Sequence, residues 1–99
     1  MKRILKYRLT VTDSQRILIP SGSVPISVGY QDHELSMWVL VPQEQDIAMA
    51  DVEDMHHLTI RIFGTGHEVE HSDRLVFIAT MQDHMTQLVW HVFYELRVD

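Results

Sequence analysis

The stretch Phe63 to His71, FGTGHEVEH, holds the residue types and spacing in this chain that most resemble a catalytic motif. Residues 67–71 match the H-E-x-x-H pattern of zinc peptidases. That motif works on a helix, which places its two histidines one turn apart on the metal while the glutamate holds the attacking water. The question is whether this sequence can form such a helix.

The residues around the motif argue against a helix. Gly64 and Gly66 precede it, Ser72-Asp73 follows it, and Val69 is the only apolar residue within it. A helix here would carry two poorly tolerated glycines at its start and no apolar stripe to bury. We therefore predict a bend over Phe63–His67, with no zinc peptidase activity, no metal site and no cofactor.

The same bend has a second possible role, as one wall of a ligand site. Backbone amides of a glycine-rich bend can contact an anion, and a histidine that projects from it can carry positive charge or donate a hydrogen bond. Aromatic rings on nearby strands would complete such a site. The candidate ligand-binding residues are Gly64, Thr65, Gly66, His67, Trp38, Trp90 and His91. Trp38, Trp90 and His91 could instead be core residues with no contact to a ligand. The bend could instead be a turn with only a structural role.

The elements that must position these residues are strands. Leu5 to Val11 and Val24 to Tyr30 alternate apolar and polar residues, which is the period of a strand with one buried face. Further strands are predicted at Arg16–Ile19, Leu35–Val41, Leu58–Ile62, Leu75–Met81 and Gln87–Val98. Short turn signals separate about seven mostly antiparallel strands, which predicts a single all-β domain over residues 1–99, a sandwich or a small barrel.

Two segments complicate this pattern. Leu35–Val41 and Leu88–Tyr94 are apolar on both strand faces, so each has a second face that needs a cover. Residues 42–57 carry five acids and no bases, and Ala48, Val52 and Met55 fall at helical spacing there. A short helix over part of this segment could cover one face. Otherwise, we expect self-association into a dimer or a larger oligomer.

Composition excludes several classes of protein. The chain has no cysteine, which excludes a disulfide scaffold and a cysteine nucleophile, and its apolar runs are too short to span a membrane. The net charge is −6, and five of the eight Lys and Arg lie within residues 2–16. Nucleic-acid binding needs a larger basic surface, so we do not expect direct contact with nucleic acid.

Several segments resemble a family of small uncharacterised bacteriophage and prophage proteins. The matching segments are Lys6-Tyr7, Ile19-Pro20, Trp38, Phe63-Gly64-Thr65-Gly66-His67, Phe77-Ile78-Ala79-Thr80 and Val89-Trp90-His91-Val92-Phe93. The chain departs from the family pattern at Ala79, where the family has glycine, and at Pro42, which lacks a neighbouring aspartate. The resemblance implies a phage origin and a cytoplasmic setting in the infected bacterium. It makes the second histidine, His71, incidental, and it implies no activity.

Three classes of function stay open. The first is a non-enzymatic binding protein that acts on a host or anti-phage defence component, by binding a small anionic, nucleotide-like ligand or a protein. The second is a nucleic-acid mimic that uses the acidic segment Glu44–Asp54 to block a DNA-binding machine. The third is a small hydrolase using His67 and His91. A structural virion protein is a further alternative, and we favour the binding protein.

Overall fold

Seven strands in two antiparallel sheets form the protein in a computed structural model that describes residues 2–42, 55–83 and 85–96. The strands are β1 (Lys2–Arg8), β2 (Ser14–Pro20), β3 (Val24–Gln31), β4 (Glu34–Pro42), β5 (Met55–Gly64), β6 (Leu75–Gln82) and β7 (Val89–Glu95). One 3₁₀ turn, Ser72–Arg74, precedes β6. Across these three ranges, the chain forms no helix with the length and apolar character that crossing a bilayer requires.

The two sheets pack face to face around one core. The three-stranded sheet has the order β1-β4-β3 and the four-stranded sheet the order β2-β5-β7-β6. Fully buried side chains come from both sheets, with Met37 and Val39 on one side and Ile60 and Val92 on the other. This arrangement confirms the predicted all-β fold and its strand number, and it is a sandwich.

Alternation along each strand separates the core from the outer faces. In β4, Leu35, Met37, Val39 and Val41 point into the core, while Trp38 lies on the outer face. In β1 the same alternation directs Leu5 and Tyr7 inward and leaves Ile4, Lys6 and Arg8 exposed. A shift of one residue would exchange the two faces of a strand, so this pattern sets the register.

Tight turns join the strands where the sequence placed turn residues. The β3–β4 hairpin has a two-residue loop in which Asp32 and His33 both have positive φ, 52° and 66°, as a type I′ turn requires. Pro25 is the second residue of β3, which is an edge strand, and a bulge follows it between Pro25 and Ser27. Both features agree with the expectation that Pro25 stands at an edge or a strand start.

The structure corrects the prediction after β4. A helix over residues 46–56 would include Met55 and His56, yet these two residues begin β5 and pair with Pro20 and Ile19. Residues 43–54, which hold the rest of that predicted helix, lie outside the described residues. Pairing with β2 explains the correction, because a neighbouring strand supplies hydrogen bonds that local periodicity does not reveal.

Candidate functional site

The predicted bend is present and begins where β5 ends. The His67 backbone N–H donates to the Gly64 carbonyl oxygen at 3.1 Å, which closes a turn over four residues. Gly66 occupies the third position with φ +92°, a conformation that L side chains adopt at a cost. Gly64 is needed for a different reason, since a Cβ there would stand 3.0 Å from His67 Cε1.

The His67 ring is held by the backbone of the bend. Its Nδ1 accepts a hydrogen bond from the Gly64 N–H at 3.1 Å. Because that nitrogen is the acceptor, the neutral ring carries its proton on Nε2. Most of His67 is exposed, and its fixed ring therefore offers a donor to a ligand.

His91 lies beside the bend on β7 and uses both ring nitrogens. Nε2 is 2.8 Å from the Thr65 hydroxyl, and Nδ1 is 2.9 Å from the Thr80 hydroxyl. In a neutral imidazole one nitrogen donates and the other accepts, so one hydroxyl donates to the ring and the other accepts from it. The tautomer of His91 thus sets whether Thr65 offers its proton or its lone pairs to a ligand.

Trp90 joins the bend to the core. It pairs with Gly64 across the β5–β7 ladder and packs against the core cluster. Its indole nitrogen is buried close to the Tyr30 hydroxyl of the other sheet. Burial, and secondly the negative charge of Asp83, raises the pKa of the Tyr30 hydroxyl above its ordinary value.

A cavity of about 440 Å³ opens beside the bend, and we call it the bend cavity. Its described lining consists of Gly64, Thr65, His67, Gln87, Leu88, Val89 and Trp90. Leu88 is about half exposed there, so a large apolar side chain faces an open space. The cavity combines an apolar wall with the polar atoms of Thr65 and His67, which is the usual make-up of a small-molecule site.

Trp38 is not part of this cavity. It lies on the outer face of the three-stranded sheet, opposite Lys6 on β1 and Ser27 on β3. The bend belongs to the four-stranded sheet on the other side of the core. Of the seven candidate residues, the structure brings together those of the bend, Trp90 and His91, and it separates Trp38 from them.

The H-E-x-x-H stretch forms part of the connection from β5 to β6, residues 65–74. It is not helical, and His71 has φ +56°. The strands that it joins, β5 and β6, both run antiparallel to β7, which lies between them. The connection must therefore return along the length of the sheet. Because no helix places them one turn apart, His67 and His71 lack the geometry of a peptidase zinc site.

The connection returns beside a cluster of phenylalanine rings that the sequence analysis did not identify. Phe93 makes edge-to-face contacts with Phe63, at 5.7 Å between ring centroids, and with Phe77, at 5.5 Å. Arg61 lies over the Phe63 ring at 5.3 Å and forms an ion pair with Glu95 at 3.2 Å. These three rings, the aromatic cluster, occupy the outer face of the four-stranded sheet.

The described residues give no geometric support to a metal site, a nucleic-acid mimic or a hydrolase. Within them, no group of three or more His, Asp or Glu side chains converges as a metal site would. The acidic segment Glu44–Asp54 lies outside the described residues, so the mimic hypothesis stays a prediction. The hydrolase hypothesis also stays a prediction, with His67 bound to the Gly64 backbone and His91 held between two threonines.

Sequence reasoning missed part of the cavity wall and the second partner of His91. Leu88 was detectable, because it stands two residues before Trp90 and shares its strand face if β7 is extended backward. Thr80 was not, because its contact with His91 depends on the register between β6 and β7 and on the bulge between Phe77 and Ala79.

Fold and site together define an all-β sandwich with a glycine bend that borders a small cavity. The chain belongs to a family described as a domain of unknown function (DUF7352), whose model matches residues 1–98. No curated protein and no solved structure is significantly similar to the chain.

Proposed function

We propose that the protein is a non-enzymatic binding protein whose ligand site is the bend cavity. The observation that carries the proposal is convergence: Gly64, Thr65, His67 and Trp90 were singled out as ligand-binding candidates, and they line one cavity of about 440 Å³. That volume suits a small molecule with one or two rings.

The ligand class follows from the atoms at the wall. Trp90 and the exposed Leu88 offer apolar surface to a flat ring. His67 offers the Nε2 proton of its neutral ring as a hydrogen-bond donor, while Nδ1 accepts from the Gly64 N–H. A small anionic, nucleotide-like ligand fits this arrangement, with its ring against Trp90 and an acceptor or anionic group at His67.

The biological setting of the proposal comes from the resemblance to phage and prophage proteins. In that setting the protein acts in the cytoplasm of an infected bacterium on a host or anti-phage defence component. The ligand in the bend cavity would be a small signalling nucleotide. The alternative ligand is a protein that inserts a side chain into the cavity. The resemblance supports the setting and carries no activity.

The test uses His67→Ala, with His71→Asn as its matched control. His67→Ala removes the donor and should change the free energy of unfolding by less than about 1 kcal/mol, as exposed positions usually do. His71→Asn removes the other imidazole of the same connection while keeping a residue that tolerates positive φ. Native mass spectrometry of each protein, purified from infected cells, should show a bound mass on the parent and on His71→Asn but not on His67→Ala.

Two results would contradict the proposal. If His67→Ala keeps the same bound mass and full activity in a phage-infection assay, the ligand lies elsewhere. If His67→Ala unfolds the protein, the bend is a structural element whose histidine is required for folding.

A further inference from the structure

The turn between β6 and β7 borders the bend cavity and contains a residue whose type conflicts with its backbone. Gln87 has φ +61°, in the left-handed region where glycine is the usual residue. Among the described residues, the other non-glycine positions with positive φ are Asp32, His33 and His71. Aspartate and histidine are enriched in this region, and glutamine is not. Gln87 is therefore the position at which the residue type agrees least with the backbone.

Backbone hydrogen bonds of the turn hold Gln87 in this conformation. Its N–H donates to the Asp83 carbonyl oxygen at 2.7 Å, and the Asp83 N–H donates to the Leu88 carbonyl oxygen at 2.8 Å. The Asp83 carboxylate accepts from the Met85 N–H at 2.8 Å. None of these bonds uses the Gln87 side chain, so a glycine at this position would make the same contacts with less strain.

The Gln87 side chain lies at the bend cavity. Gln87 is exposed and lines the cavity together with His67, Leu88 and Trp90. Within the part of the chain that the structure describes, its carboxamide makes no hydrogen bond. No hydrogen bond of the side chain therefore offsets the backbone strain. A strained residue at a cavity wall, with its polar atoms unused, points to a function of the side chain in binding.

On the basis of the proposed function, on which this step rests, we infer that Gln87 determines the specificity of the bend cavity by pairing with the edge of a nucleobase. A carboxamide places a hydrogen-bond acceptor beside a donor. Nucleobase edges carry the complementary pair, as in the bidentate contact of glutamine with adenine. A base against the Trp90 ring then has its edge at Gln87 and its phosphate at the Nε2 proton of His67.

The charge of the cavity wall restricts the ligand to few phosphates. The described lining contains no lysine, arginine or acidic residue. A chain of phosphates needs cationic side chains or a metal ion to balance it, whereas one phosphate can be held by a neutral donor such as the His67 ring. The ligand class is therefore a nucleoside monophosphate.

The first experiment measures binding of the common nucleoside monophosphates by isothermal titration calorimetry, with ribose phosphate as the probe that lacks a base. The parent should bind at least one monophosphate about tenfold or more tightly than ribose phosphate, as two added hydrogen bonds and a stacked ring allow. Gln87→Met keeps the length and apolar stem of the side chain and removes its donor and acceptor. It should lose most of this preference and keep the parent's unfolding midpoint.

The second experiment uses the strain itself, with His33→Gly as the matched control. Gln87→Gly and His33→Gly each relieve a positive φ, so each should raise the midpoint of thermal unfolding by about 2–4 °C. Gln87→Gly should also lose the preference for the monophosphate. His33 lies in the β3–β4 turn and is not among the lining residues of the bend cavity, so His33→Gly should bind as the parent does.

Three results would overturn the inference. They are a parent that binds no monophosphate more tightly than ribose phosphate, a Gln87→Met variant that keeps the preference, and a Gln87→Gly variant that unfolds at a lower temperature than the parent. The proposed function is tested separately by His67→Ala. A bound mass that is not a nucleotide, and that His67→Ala removes, would support the proposed function and overturn the pairing of Gln87 with a base. Loss of the preference in Gln87→Met but not in His67→Ala would support Gln87 and contradict the role of His67.

Discussion

The outer faces of the two sheets differ in how their apolar side chains are covered. In the four-stranded sheet, Phe93 contacts Phe63 and Phe77 and is partly buried, and Phe63 is only 8% exposed although it points away from the core. In the three-stranded sheet, Ile4 and Val24 stay about half exposed around Trp38. Ring contacts thus bury Phe63 on one outer face, while Phe77 beside it and the apolar residues of the other face stay about half exposed.

The difference has a topological cause. β5 and β6 both pair antiparallel with β7 and therefore run parallel to each other, so the connection between them must pass along the four-stranded sheet, and it carries the bend and the cavity with it. The strands β3 and β4 are joined by a two-residue hairpin that covers nothing. Of the two strands that are apolar on both faces, β7 has ring contacts on its outer face, and among the described residues β4 has none.

The largest expected effect tests this contrast directly. Phe93→Ala removes the central ring of the aromatic cluster and should lower the free energy of unfolding by about 3 kcal/mol, because two edge-to-face contacts and the packing of a partly buried ring are lost. Trp38→Ala should cost about 1–2 kcal/mol, since Trp38 is partly exposed and makes no edge-to-face contact among the described rings. Urea unfolding at low protein concentration measures both, and equal losses would break the comparison.

The next effect concerns the bend of the four-stranded sheet. Gly64→Ala should lower the free energy of unfolding by about 1–2 kcal/mol, because its Cβ meets the His67 ring at 3.0 Å. The same substitution in a His67→Ala background should be nearly neutral, since the clash is gone. A double-mutant cycle measures this coupling.

Gly66→Ala serves as the control for that cycle. Its φ of +92° strains any L residue whatever stands nearby, and no atom lies within 4 Å of its missing Cβ. Its cost should therefore be the same with and without His67. If Gly64→Ala shows no coupling to His67→Ala, the ring does not rest on Gly64 in solution.

A smaller effect, of opposite sign, is expected in the hairpin of the three-stranded sheet. His33 has φ +66° in the type I′ turn, where glycine is the preferred residue. His33→Gly should therefore raise the free energy of unfolding by about 1 kcal/mol. Thermal unfolding of the variant measures the gain, and a loss of stability would show that the His33 side chain makes a contact that offsets its strained backbone.

The smallest expected effect is a decline of the free energy of unfolding at high pH, caused by two partly buried tyrosines. Burial raises the pKa of Tyr7, and burial followed by the charge of Asp83 raises the pKa of Tyr30. The unfolded chain therefore ionises first, near the ordinary tyrosine value of about 10, and stability present below that pH is lost as pH rises toward the folded pKa. Urea unfolding from about pH 9 to about pH 11 should show this decline, and a Tyr7→Phe/Tyr30→Phe double variant should flatten it. An unchanged decline in that variant would assign the effect to other groups.

Much of the fold was predictable because it depends on local alternation. The strands around Val28, Met37, Ile60 and Phe77 were each placed within a few residues of their observed bounds. The errors fell at ends, where Leu9 to Val11 proved to follow β1 and Ser14 proved to begin β2. Strand ends are set by the partner strand, and the partner is not encoded in the period of one segment.

At the candidate site, the bend was predictable from the sequence, because two glycines before a histidine are a local signal. Its neighbours did not, because pairing of Gly64 with Trp90 and contact of His91 with Thr65 and Thr80 depend on sheet order and register. Trp38 shows the limit most clearly. Its residue type suited a ligand pocket, yet its place in β4 directs it to the outer face of the other sheet.

The sequence by itself determined the strand character, the glycine turn and the absence of a helix at H-E-x-x-H, since each follows from the conformational preferences of neighbouring residues. Only the tertiary structure decided which of two similar apolar strands gains ring contacts on its outer face within the described residues. The sequence does not distinguish Leu35–Val41 from Leu88–Tyr94. Periodicity shows that a strand face is apolar, but it does not show what lies against that face. What lies against it is set by the strand order, which places Phe63 of β5 and Phe77 of β6 on either side of Phe93.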